Sequence, residues 1–143
     1  MTELSERAGT YGMGVLRIGT PHETDRLRLI AETYDPHTLD HLVRLGIGPG
    51  WHCLEVGAGA GTVARMMAHR AGAAGSVIAT DLDTGPMGDP GVHNIEVLRH
   101  DVTADPSPGG PFDLIHCRFV LEHLRERDAV LHRLASWRAP GRG

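Results

Sequence analysis

The sequence predicts an α/β fold built on a parallel, doubly wound sheet. Strand-like and helix-like segments alternate along the chain, the pattern of successive strand–helix–strand crossovers. Ser76 to Thr80 is short and apolar at its centre, as a strand covered on both faces requires. A glycine-dense stretch, Gly57 to Gly61, sits between one such strand and the next helical segment.

Residues 1–21 hold no period and are interrupted by Gly9, Gly12, Gly14, Gly19 and Pro21, which predicts a mobile arm or lid ahead of a domain over 22–143. Leu27, Ile30, Ala31 and Tyr34 then recur at helical spacing. Asp35-Pro36 is expected to break this helix and cap a second, with Leu39, Leu42 and Val43 on its buried side and Gly46 at its end. Trp51 to Val56 reads as a strand, and Thr62 to Arg70 as a helix with Val63, Met66 and Met67 inward. Ser76 to Thr80 is the second strand. Five glycines and prolines between Leu82 and Val92 forbid a long helix. Ile95 to Arg99 and Phe112 to Cys117 complete the strands, and a last helix is expected over Phe119 to Trp137.

The 143-residue chain is long enough for one domain, and at 41% hydrophobic it can form a packed core. Its 14 basic residues against 18 acidic ones argue against a nucleic-acid partner. No apolar run approaches the ~20 residues of a membrane helix, and the polar N-terminus is no signal peptide. Two cysteines do not make a disulfide framework. Together these predict a cytoplasmic protein. None of the ten histidines has zinc-ligand spacing, so no metal is expected.

Glycines between strand and helix allow a sharp turn and close approach of backbone to a ligand, and the helix N-terminus offers free N–H groups. The dinucleotide fingerprint G-x-G-x-x-G would place its third glycine where Thr62 stands. Instead the third glycine is Gly61, and Glu55 precedes the first by two residues. This E-x-G-x-G-x-G pattern resembles motif I of the class I S-adenosylmethionine-dependent methyltransferases, a Rossmann-like family. The resemblance runs from about Asp25 to Gly141.

On that resemblance Glu55, Gly57, Ala58, Gly59 and Gly61 form the cofactor loop, with Glu55 either holding the loop or contacting the ligand's amino end. Asp81, 24 residues after Gly57, would accept from the ribose hydroxyls, and Leu82 would pack on adenine. Asp101, followed by Val102, would accept from the adenine amino group, whereas Asp83 is expected to be a cap or surface acid. Cys117 would face the methionine moiety. His116 and His123 are the candidate bases nearest the methyl end. Glu122-His123 match part of a metal-binding Glu-x-x-Glu-His seen in some quinone-pathway O-methyltransferases, but Phe119 replaces its first Glu.

The resemblance implies S-adenosylmethionine as cofactor and a small-molecule methyl acceptor. It also implies seven strands, of which this sequence reaches the fourth, an incomplete C-terminal half. A fourth strand left as a sheet edge would favour a homo-oligomer. The competing expectations are a catalytically inactive cofactor-binding or interaction module left by truncation, and an NAD-dependent oxidoreductase.

Overall fold

The computed structural model describes residues 21–140, with side chains from Thr24. The expected arm lies outside the described residues except for Pro21, which opens helix α1, Pro21–Leu45. Strand β1 (His52–Val56) leads into helix α2 (Thr62–Ala71) and strand β2 (Ser76–Asp81). Strand β3 (Ile95–Arg99), strand β4 (Leu114–Cys117), a 3₁₀ turn at Leu121–His123 and helix α3 (Arg127–Ser136) follow. The sheet order is β3-β2-β1-β4, and every pairing is parallel.

Alternation along β1 divides the core, because successive side chains of a strand leave opposite faces. Cys53 packs with Leu42, Val63, Met67 and Val77 on the side of α1 and α2. Leu54 and Val56 pack with Phe112, Val130 and Leu134 on the side of α3. Helices therefore cover both faces, as the doubly wound expectation requires. The link from β2 to β3 holds no helix. It turns on Asp83, whose Oδ1 accepts from Gly85 N at 2.9 Å.

Four local expectations are corrected. Asp35-Pro36 does not break the first helix, which runs unbroken through Pro36. Interior proline loses a backbone bond and costs ~3 kcal/mol, but the residues around it are tied down. Arg118 donates to Asp35 Oδ1 at 2.9 Å and to Thr38 Oγ1 at 2.8 Å. Of Leu39, Leu42 and Val43, only Leu42 is buried.

The last helix does not begin at Phe119. That residue has φ 61°, a left-handed value no helix accommodates. Its ring packs edge-on against Tyr34, with centroids 4.9 Å apart. The chain then makes only the 3₁₀ turn, extends at Leu124 and starts α3 at Arg127. Tertiary anchoring of Arg118 and Phe119 to α1 overrides the helical pattern there.

Finally, β4 starts at Leu114, because Phe112 turns its backbone outward. Its N–H donates to Trp137 O at 2.9 Å, and its carbonyl accepts from Ala139 N at 2.6 Å. A parallel bridge to Arg138 results.

Candidate cofactor site

The glycine loop leaves β1 at the centre of the sheet. Gly57, Gly59 and Gly61 all have positive φ, at 72°, 57° and 85°. Gly57 N and Ala58 N both donate to Thr80 O at 2.9 Å, which fastens the loop to β2. Gly59 N donates to Asp81 Oδ2 at 2.9 Å. A Cβ on Gly59 would lie 3.3 Å from Leu27 Cδ2, and one on Gly61 would lie 2.9 Å from Met87 Cγ. Glycine is therefore needed both for conformation and for space.

The loop borders a pocket lined by Glu55, Gly57, Ala58, Gly59, Leu27, Ile30, Arg118 and Phe119, among others. Four of the residues assigned from sequence thus meet in one cavity. Asp81 joins them through Gly59. Leu82 is buried at the end of β2, and Asp101 and Val102 are buried beyond β3. Asp101 Oδ1 accepts from Thr103 N at 2.9 Å and from Thr103 Oγ1 at 2.6 Å. Cys117 ends β4 on the α3 side of the sheet. Neither these four nor Gly61 and Asp81 line the pocket, although the four stand at or just beyond C-terminal strand ends, where open α/β sheets bind ligands.

Glu55 is the charged floor of the pocket, and only 2% of its surface is exposed. Its Oε2 accepts from His116 Nδ1 at 2.8 Å. The pairing follows from register, since Glu55 lies directly across from His116 on neighbouring strands. Burial raises the Glu55 carboxyl, opposed by His116 and Arg118. Burial alone would lower the His116 imidazole, but its bond and charge interaction with Glu55 leave it raised. His123 lies on the 3₁₀ turn, with Nε2 3.8 Å from Glu122 Oε1.

Sequence reasoning missed Leu27, Ile30, Arg118 and Phe119 as pocket residues. The first two carried only a core signal. Arg118 fell between the expected strand and helix, and Phe119 at the start of that helix.

A family model described as a methyltransferase domain matches residues 11–143. The chain belongs to this methyltransferase-domain family. Among curated members, a ubiquinone/menaquinone biosynthesis C-methyltransferase of Xylella fastidiosa is 24% identical over 92% of this chain and 61% of its own length. A methyltransferase of Strobilurus tenacellus is 37% identical over 72% of this chain and 37% of its own length. The chain thus spans about six-tenths or less of these relatives.

A SAM-dependent methyltransferase from Aquifex aeolicus superposes with TM-score 0.70 at 26% identity, over 85% of this chain and 68% of that one. Magnesium protoporphyrin IX methyltransferase from Synechocystis, solved with bound SAH, shares the fold. Its TM-score is 0.60 at 23% identity, over 95% of this chain and 62% of that one.

Proposed function

We propose that the chain takes part in S-adenosylmethionine-dependent methyl transfer to a small-molecule acceptor. The carrying observation is the loop itself: three left-handed glycines after Glu55, with Gly59 N bound by Asp81. A bulkier loop would narrow the cradle, since a Cβ at Gly59 would stand 3.3 Å from Leu27 Cδ2, which also lines the pocket. The residues present fit the cofactor. When bound, S-adenosylmethionine supplies an electrophilic methyl group on a sulfonium.

The chain's own part is binding, orientation and exclusion of water. Asp81 is assigned to the ribose hydroxyls and Leu82 to the adenine face. Asp101 takes the adenine amino group, beside Val102. Glu55 takes the ammonium end, with Gly57, Ala58, Gly59 and Gly61 as the cradle and Cys117 near the methionine moiety. Leu27, Ile30, Val63 and Phe119 form the apolar wall. His123 is the candidate base where an acceptor must lose a proton.

Among the described residues, the outer edge of β4 is bridged only at Phe112, and we assign it to pairing with a second copy. A cytoplasmic location is proposed, in keeping with two cysteines that both stand as free thiols.

Calorimetry with S-adenosylhomocysteine and with NAD tests the cofactor assignment. Binding of the first and not the second is expected. NAD binding with no response to S-adenosylhomocysteine would overturn it.

A further inference from the structure

We propose that His116 is a positioning residue, holding one oxygen of the buried Glu55 carboxylate so that the other meets the ammonium end of the cofactor. This rests on the function proposed above.

Glu55 is nearly sealed from water yet lines the pocket. Only its Oε2 is hydrogen-bonded among the described residues, to His116 Nδ1 at 2.8 Å. Oε1 is left for a ligand. A carboxylate buried without a donor tends to take up a proton and cease to attract cations. A charge-assisted bond from an imidazolium opposes that. The pair is set by strand register and does not depend on a mobile loop, so its geometry is fixed before a ligand arrives. His116 commits its Nδ1 to Glu55 Oε2 and is assigned no contact with the cofactor, so its role runs through Glu55.

The charges around Glu55 favour a cationic occupant. Arg118 faces it, but that guanidinium is already paired with Asp35 at 2.9 Å. Asp81 adds a second negative charge from the end of β2, and the Cys117 thiol lies nearby on β4. With His116 bonded to Glu55, the acids still exceed the uncommitted cations. A sulfonium amino acid with a free ammonium fits that balance.

Two probes separate the amino-acid end from the nucleoside. S-adenosylhomocysteine carries the ammonium, and 5′-methylthioadenosine lacks it. In the unmodified chain both should bind by calorimetry at pH 7.5. His116→Leu is expected to weaken S-adenosylhomocysteine about tenfold or more, the equivalent of ~1.4 kcal/mol, and to leave 5′-methylthioadenosine within about twofold. His116→Asn, which can still present a donor near the Nδ1 position, should restore most of the loss. The acid limb of S-adenosylhomocysteine binding should move to higher pH in His116→Leu, because Glu55 then protonates more readily.

If His116→Leu fails to fold, Glu55→Gln should show the same selective loss. Equal loss for both probes, or for neither, would overturn the positioning role. Failure of both probes to bind the unmodified chain would instead overturn the proposed function.

Discussion

Gly75 illustrates how little room single positions leave. A Cβ there would lie 2.6 Å from Ala71 Cβ, Ala71 O and Trp51 O, and two of these are backbone atoms that cannot swing aside. Gly75→Ala should therefore destabilise by ~1–3 kcal/mol, read as a lower urea midpoint at unchanged slope. A midpoint within error of the parent would mean that the turn relaxes freely. The two acids after β2 divide in the same residue-by-residue way. Asp81 reaches back to Gly59 N, while Asp83 serves its own turn at Gly85 N. Asp81→Ala should weaken S-adenosylhomocysteine by ~1.5–3 kcal/mol, whereas Asp83→Ala should have little effect. Equal losses in titration calorimetry would overturn the assignment of the ribose to Asp81 over Asp83.

At the scale of elements, α1 is held over the pocket by the segment that follows β4. Arg118 bonds Asp35 and Thr38, and Phe119 packs on Tyr34. Much of the rest of α1 faces outward, with Leu29, Leu39 and Val43 exposed. The helix therefore depends on this attachment and on Leu42. Arg118→Ala should cost ~1.5–3 kcal/mol, since it removes charged hydrogen bonds and leaves Asp35 without its guanidinium. Hydrogen exchange should accelerate through the middle of α1 and leave β1 and β2 protected. Uniform acceleration across the sheet would show instead that α1 and the core open together.

Over the whole molecule, both thiols are held protonated. Burial, with Asp113 adding to it, pushes Cys53 from 9.0 to about 12. Burial, with Glu55 and Glu122 adding to it, pushes Cys117 from 9.0 to about 11. The unfolded chain therefore releases these protons first as the solution becomes alkaline. Their contribution to stability is complete below about pH 9 and is lost as pH rises toward 11–12. The urea midpoint should be lower at pH 10 than at pH 7.5, and thiol reagents should react slowly until the chain unfolds. A midpoint unchanged at pH 10 would contradict this. Assembly belongs to the same scale. Pairing of two copies along β4 should appear in light scattering as a mass that rises with concentration. A constant monomer mass across the series would remove that proposal.

The strand–loop–helix core was legible from sequence because its signals are local. Glycines that need positive φ, an apolar strand and alternating faces depend on neighbours a few residues away. That local information located β1, the loop, α2, β2 and β3, and with them Glu55, Gly59 and Asp81. What the sequence could not determine rests on contacts between distant segments. The bond from His116 to Glu55 spans 61 residues, and that from Arg118 to Asp35 spans 83. Phe119 opens an expected helix, yet the anchors of Arg118 and Phe119 on α1 give Phe119 a left-handed backbone and hold a first helix that runs past Pro36. Local propensities differ by about 1 kcal/mol or less per residue, apart from proline at about 3. Several tertiary contacts acting together exceed that, so the roof of the pocket was decided only when the chain had folded.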